Sequence, residues 1–281
     1  MKICSTIAEA RAACRDTRTY RQRLGLVPTM GALHEGHMSL VRAAKAQCDA
    51  ITVSIFVNPT QFSPNEDLSK YPRHFDRDYR LLEEENVDIL FAPAVQEIYP
   101  NGTATWVQVE GLSEKLDGRS RPSHFRGVTT IVAKLFNIIE PDAAFFGQKD
   151  AAQLAVIRSM VRDLNFAVEI VACPIVRESD GLAMSSRNAY LNREERGRAL
   201  VLRRSLEQVQ REFQGGERTA AKLISAAKKV FACEPQVALD YFEIVDPYTL
   251  DPVEGISQET LVAVAAYVGS TRLIDNIVLN P

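Results

Sequence analysis

Two of the chain's four histidines, His34 and His37, stand three positions apart in the run PTMGALHEGHMSLVRAAK. Pro28, Gly31 and Gly36 punctuate a loop there, and helical apolar spacing begins again from Met38 to Ala46. The pair therefore sits between the end of a strand, Leu24 to Pro28, and the start of a helix. That edge is where open α/β sheets bind ligands and where backbone N–H groups favour anions. Neither a P-loop run, GxxxxGK followed by Ser or Thr, nor the dinucleotide fingerprint GxGxxG occurs. HEGH resembles half of a zinc-binding HExxH, but that motif spaces its histidines four apart on one continuous helix, and here Gly36 interrupts a spacing of three. Two incidental surface histidines are a further reading. Imidazoles that donate to phosphate oxygens suit the position best. HxGH at the start of an α/β sheet is a signature of nucleotidyl transfer, in which positive donors stabilise charge developing at an α-phosphate.

Three further clusters carry polar chemistry. Lys149 in AFFGQKDAAQ follows a strand candidate and precedes a helix that begins near Asp150, with Gln148 and Gln153 beside it. Its amine reads as a phosphate contact, with a solvated face as the alternative. GLAMSSRN, Gly181 to Asn188, sets Ser185, Ser186 and Arg187 in sequence, either as a flexible anion clamp or as an ordinary polar loop. Gln61 in FVNPTQF ends a strand and offers an amide that donates and accepts, which suits a substrate bearing hydroxyls and a carboxylate. Arg119, Arg121, His124 and Arg126 of DGRSRPSHFRG add basic groups or form a solvated turn.

These residues need an α/β scaffold, and the spacing predicts one. Strand candidates at Leu24–Pro28, Ile51–Val57, Asp88–Phe91, Ala143–Phe146 and Val168–Val176 alternate with helices, and several are apolar at consecutive positions, as in parallel sheets covered on both faces. Val128, Ile131, Val132, Leu135, Phe136 and Ile139 mark one helix, closed by Pro141; Leu154, Ile157, Val161 and Leu164 mark another. After Leu191 the pattern changes to an amphipathic helix over Glu194–Phe213, a second over Ala220–Phe231, and strands at Leu239–Val245, Leu261–Val268 and Leu273–Leu279. The expected architecture is α/β, a parallel sheet over residues 1–180 followed by a smaller α+β domain over residues 181–281.

Composition narrows the partners. In 281 residues, 33 Lys and Arg face 36 Asp and Glu, so a net charge of -3 gives no global field to attract nucleic acid or an anionic membrane. Cysteines at 4, 14, 48, 173 and 233 form no CxxC pair, which points to a reducing cytoplasm and to neither a disulfide framework nor structural zinc. Glu9 and Asp16 among Arg11, Arg15, Arg18, Arg21 and Arg23 break the apolar run of a signal peptide, leaving an organellar transit peptide as the alternative. The longest nearly apolar run, Leu261 to Val268, is far short of the roughly 20 residues that cross a bilayer. A soluble protein is expected.

Taken together, PTMGALHEGH, FVNPTQF, DLSKYPR, RPSHFRGV, FFGQKD, VRESDGLAMSSRNAYL and STRLIDN, in order from residue 28 to residue 276, make the chain resemble the pantothenate synthetase family, the pantoate–β-alanine ligases of vitamin B5 synthesis. The resemblance implies a nucleotidylyltransferase-type Rossmann domain, a small C-terminal domain acting as a lid, and a homodimer. It implies two steps. Pantoate carboxylate attacks the α-phosphate of ATP to give pantoyl adenylate and pyrophosphate; β-alanine then attacks the acyl phosphate, releasing pantothenate and AMP. By the same resemblance Met30, Gly31, Ala32, Leu33, His34, Glu35, Gly36, His37, Gly147, Gln148, Lys149, Asp150, Val176, Met184, Ser185, Ser186 and Arg187 contact ATP. His37 is the acid that helps pyrophosphate leave, with His34, Lys149, Ser185, Ser186 and Arg187 as further catalytic donors. Gln61 and Gln153 hold pantoate, Gln61 also lying near β-alanine. Mg²⁺ is expected to neutralise the polyphosphate, with Asp78 as an outer ligand. Two rival functions remain at this point: another adenylyl or cytidylyl transferase on the same HxGH sheet, marked by turnover of CTP or a different acid, and a non-catalytic nucleotide-binding protein, marked by the absence of pyrophosphate release.

Overall fold

The apolar runs form six strands: β1 (Lys2–Cys4), β2 (Leu24–Thr29), β3 (Ala50–Ile55), β4 (Ile89–Phe91), β5 (Ala143–Gly147) and β6 (Glu169–Cys173). They make one sheet in the order β1-β4-β3-β2-β5-β6 with every pairing parallel. This computed structural model describes residues 1–19, 22–62, 68–69 and 71–281, with only the backbone of Arg18 and Thr19. Arg21 of the Arg-rich start, and Asp67 and Lys70 of DLSKYPR, lie outside the described residues. Four consecutive residues of β2 and five of β3 are buried, so both faces of the sheet are covered, as the unbroken apolar runs require. Strand order departs from β2 in both directions, through β3 to β4 on one side and through β5 to β6 on the other. The loop after β2 therefore leaves the sheet at its topological switch point.

Ten helices accompany the strands among the described residues: α1 (Ile7–Thr19), α2 (Glu35–Lys45), α3 (Phe75–Glu84), α4 (Val95–Ile98), α5 (Asp117–Ser120), α6 (His124–Ile139), α7 (Ala151–Asp163), α8 (Arg193–Ala199), α9 (Val201–Gln214) and α10 (Ala220–Ala232). α2 places Met38, Val41 and Ala44 in a core with Val27, Val53, Leu90 and Phe145 of the sheet. Fully burying a side chain of that size is worth about 1.5–3 kcal/mol, so the helix that begins at the histidine pair is firmly seated. No described helix is long and apolar enough to cross a membrane.

The chain divides into two compact units. The first comprises Met1–Glu114, Arg121–Gly147 and Val156–Cys173; the second comprises Lys115–Ser120, Gln148–Ala155 and Pro174–Pro281. The second unit is built on an antiparallel sheet, β7 (Val237–Val245), β8 (Thr260–Val268) and β9 (Thr271–Leu279), with a bulge between Leu239 and Tyr241. One sheet face carries Phe242, Val262, Val264 and Leu273 into a core with Leu206, Phe213, Leu223 and Phe231 of α9 and α10. Arg272 of β9 reaches the Asp117 carboxylate of α5 at 2.7 Å and Asp240 at 2.8 Å. Those ion pairs, with Lys115 on Asp251 at 2.7 Å, tie the short 115–120 stretch to a sheet far from it in sequence.

Three expected elements change. The strand expected over Val168–Val176 ends at Cys173 because Pro174 follows, and the one expected over Ile51–Val57 ends at Ile55 ahead of the Asn58-Pro59 turn. The single helix expected over Glu194–Phe213 is two, α8 and α9, meeting at Leu200 with ψ −11°. Positions 199 and 201 of one continuous helix face nearly opposite ways, at 100° per residue; the break lets Ala199, Val201 and Leu202 all enter the same core. β1 has three residues, too few to show a period.

Candidate active site

In the first unit the site begins with a backbone conformation that costs energy. Gly31 has φ +80° and Ala32 φ +53°, and a left-handed non-glycine residue costs about 1–2 kcal/mol. The turn is held by Asp78, in the first turn of α3 and 1 % exposed, whose Oδ2 accepts the Ala32 N–H at 2.7 Å and whose Oδ1 accepts the Leu33 N–H at 2.8 Å. Charge-assisted hydrogen bonds of this kind are worth about 1.5–3 kcal/mol each, enough to offset the strain. A Cβ on Gly31 would lie 3.1 Å from Asp78 Oδ2 and from Ile55 Cγ2.

The loop then delivers His34 as the N-cap of α2 and His37 as its third residue, in a reciprocal capping box. His34 Nδ1 accepts the Gly36 N–H at 3.1 Å, and His37 Nδ1 accepts the His34 N–H at 3.3 Å; the rings lie 4.1 Å apart. A neutral imidazole whose Nδ1 accepts must carry its hydrogen on Nε2, so the cap sets both rings in the tautomer with Nε2–H as donor. The backbone donors of Ala32, Leu33, His34 and Gly36 are meanwhile committed within the protein. The helix N-terminus that the sequence pointed to thus has these N–H groups already bonded within the protein.

Gln61 ends the 3-10 turn Pro59–Gln61 after β3. Asn58, 1 % exposed, donates from Nδ2 to Gln61 Oε1 at 3.1 Å and to the Gly127 carbonyl at 3.0 Å, while its own Oδ1 accepts from the Tyr99 hydroxyl at 2.9 Å. Burial pushes the Tyr99 hydroxyl up, so it stays protonated and donates. With Oε1 taken, Gln61 turns its Nε2 donor toward Met30 Sδ, 2.8 Å away. The Gln61 carbonyl faces His124 Nδ1 at 2.9 Å, and Arg121 Nη1 stands 3.1 Å from His124 Nε2. A carbonyl only accepts, so His124 donates from Nδ1 and takes the Arg121 hydrogen on Nε2. Arg121 and His124 thus brace Gln61. Arg126 lies over the Trp106 ring at 5.1 Å, and Arg119 pairs with Glu243 in the second unit.

Met30–His37, Gln61, Asp78 and Gly147 belong to the first unit, where the β2 loop and the ends of β3 and β5 share the carboxyl edge of the sheet. Gln148, Lys149, Asp150, Gln153, Val176 and Met184–Arg187 belong to the second. Gln148, Lys149 and Asp150 form a 3-10 turn, and Gln153 lies in the first turn of α7. The GLAMSSRN link is tethered and not a free loop. Met184 N–H donates to the Val176 carbonyl at 2.9 Å, Arg177 and Ala183 form an antiparallel bridge, and Gly181 turns the chain at φ +93°. Arg196 holds Asp180 and Glu178, each at 2.8 Å, which keeps the Asp180 carboxyl below its ordinary range. Ser185 Oγ accepts the Arg187 N–H at 3.3 Å and caps the turn Ser186–Tyr190.

No group of three His, Cys, Asp or Glu side chains able to hold a metal occurs among the described residues. The zinc reading of HEGH therefore has no support in the geometry. Asp78, the expected outer ligand, has each oxygen bonded to a backbone N–H and its side chain buried. Sequence reasoning missed Asn58 and Gly127. The Asn-Pro dipeptide is a readable turn signal; Gly127 has none, because one glycine inside a helical pattern looks merely tolerated.

The chain matches the family described as Pantoate-beta-alanine ligase over residues 2–278. It is 60% identical to a pantothenate synthetase of Koribacter versatilis over 279 residues, 99% of this chain and 96% of that protein. It is similar to the crystal structure of pantothenate synthetase from Thermus thermophilus, with TM-score 0.95, 46% identity and 100% of each chain covered. It is also similar to a pantoate-beta-alanine ligase from Francisella tularensis complexed with beta-gamma ATP and beta-alanine, with TM-score 0.75, 32% identity and 99% and 97% coverage.

Two substitutions test this architecture. Asp78→Asn keeps one acceptor but aims an NH₂ at the second backbone N–H, so stability should fall by about 2–4 kcal/mol. The loss should be the same in Mg²⁺ and in EDTA; an unchanged urea midpoint in metal-free buffer would remove Asp78 as the holder of the loop. Gly127→Ala places a methyl 2.5 Å from the Thr60 carbonyl and 2.6 Å from the Gln61 nitrogen, both backbone atoms. We expect about 1–3 kcal/mol of overpacking, seen as a lower urea midpoint at constant m-value.

Proposed function

This chain belongs to the pantoate-beta-alanine ligase family and joins pantoate to β-alanine to make pantothenate, and we propose that it does so through pantoyl adenylate, at the expense of ATP, on the residues described above. The relative from Francisella tularensis that was crystallised with an ATP analogue and β-alanine supports ATP and β-alanine as ligands of this chain. The observation that carries the mechanism is the capping box that sets His34 and His37 as Nε2–H donors.

Pantoate carboxylate and a triphosphate are both anions, so the enzyme must supply donors before it can gain from proximity. In this reading His34, Lys149 and Arg187 hold phosphate oxygens while the carboxylate attacks the α-phosphorus. His37 donates a hydrogen bond from its Nε2–H to the departing pyrophosphate and so stabilises the charge that develops there. Ser185 and Ser186 add hydroxyl donors. Gln61, its Oε1 held by Asn58 and its Nε2 facing Met30, donates to the pantoate carboxylate, and Gln153 pairs with a pantoate hydroxyl. Met30–His37, Gly147–Asp150, Val176 and Met184–Arg187 surround the nucleotide. β-Alanine, beside Gln61, then attacks the acyl carbon of the adenylate through its neutral amine; the carbon–oxygen bond to phosphate breaks and AMP leaves. Mg²⁺ enters as part of its complex with ATP, on the substrate's side of the reaction, where the phosphates supply most of its ligands. A cytoplasmic homodimer is part of the same proposal.

Labelled pyrophosphate should exchange into ATP when pantoate is present and β-alanine absent. Exchange that requires β-alanine would overturn the two-step scheme. His37→Ala should lower the single-turnover rate of adenylation by about 10²–10³, the loss of one oxyanion-type donor, with little change in the KM for ATP. An unaltered rate would take His37 out of the chemistry.

A further inference from the structure

Adjacent residues of one strand hold the two segments of the second unit that carry Lys149 and Ser185–Arg187. Pleating sends Asp275 and Asn276 of β9 to opposite faces of the sheet, and each is 2 % exposed. On one face the Asn276 amide donates from Nδ2 to the carbonyls of Gln148 and Lys149, both at 2.9 Å, and accepts on Oδ1 from Gln148 Nε2 at 3.3 Å. On the other face Asp275 takes the Arg177 guanidinium in a bidentate pair at 2.7 and 2.9 Å, and Arg177 also donates to the Gly181 carbonyl at 3.1 Å. Asp275 Oδ1 accepts the Asn276 N–H at 2.8 Å, so the two grips are themselves joined.

The turn Gln148–Asp150 has only three residues and leads directly into α7 at Ala151. Its carbonyls are where an outside group can set it, and an amide is suited to that: two hydrogens for two carbonyls and an oxygen for the returning Gln148 donor. The Arg177 pair in turn stands at the root of the link that ends in Ser185, Ser186 and Arg187, and the Asp275 side of it is buried.

We propose that Asn276 and Asp275 are positioning residues of the ligation. Asn276 orients the backbone at Lys149, and so its amine, while Asp275 sets the link through Arg177. This rests on the reading of Lys149 and Arg187 as phosphate contacts. It also gives the STRLIDN segment a part in the reaction.

The test is a double-mutant cycle on single-turnover adenylation with pantoate and Mg·ATP. Asn276→Asp keeps the shape but faces two carbonyl oxygens with a carboxylate, and the rate should fall about tenfold or more. In a Lys149→Ala background the same substitution should cost less than about twofold, because the amine it orients is gone. Asp275→Asn should behave likewise against Arg187→Ala. Losses that multiply in the double variants, or an Asn276→Asp rate within about twofold of the parent, would overturn the proposal while leaving Lys149 in place. An unchanged Lys149→Ala rate would overturn the reading of Lys149 and this inference with it, and that outcome shows in the single variant alone. Far-UV CD and the urea midpoint establish that each variant is folded; should Asn276→Asp fail to fold, Asn276→Ala removes the donors without burying a charge and carries the same cycle.

Discussion

A buried carboxylate holding two backbone N–H groups is the constraint on which the histidine site depends. Asp78 lets the chain pass through left-handed Gly31 and Ala32, and only after that reversal does His34 arrive in position to cap α2. The cap then fixes which nitrogen of each imidazole carries hydrogen. The same bonds use up the loop's own N–H groups, so a residue with the look of a metal ligand acts on the site from behind, by shaping the backbone that presents the donors. Its removal would leave two buried N–H groups unpaired as well as a strained alanine, which is why so small a contact governs so much.

A second regularity links the two units, each taken by itself. Site residues sit on short 3-10 turns, Pro59–Gln61 in the first unit and Gln148–Asp150 and Ser186–Tyr190 in the second. Such turns have few internal bonds and no long axis to seat in a core. Each is pinned by an asparagine: Asn58 on Gln61 and Gly127, Asn276 on Gln148 and Lys149, Asn188 on Glu178 and the Ala183 carbonyl. An amide can donate and accept at once without bringing charge into the interior, so it can hold a turn where an ion pair would cost desolvation. The turns that carry Gln61 and Lys149 are thereby set by neutral, buried amides, Asn58 and Asn276.

Much of this was legible in residue order. Unbroken apolar runs marked the parallel strands, 3.6-residue spacing marked α6, α7 and α10, and loop-forming glycines marked the histidine segment, because each signal is set by neighbours within a turn or two. The ordered blocks from PTMGALHEGH to STRLIDN were enough to indicate the ligase family. What residue order did not show is how the polar side chains are shared out. Asp78 meets Ala32 across 46 positions and Asn276 meets Lys149 across 127, so those bonds exist only once the sheets are assembled. The break at Leu200 belongs to the same class: no Gly or Pro stands at 200, and the turn follows from a core that Ala199 and Val201 must both enter. The sequence by itself determined where the longer strands and helices lie and which residue types could meet phosphate, since local periodicity and chemistry suffice for that. Tertiary structure alone decided the imidazole tautomers, the facing of the Gln61 amide and the grip of Asp78 on the Ala32–Leu33 backbone, because each depends on a hydrogen-bond partner brought into reach by the fold.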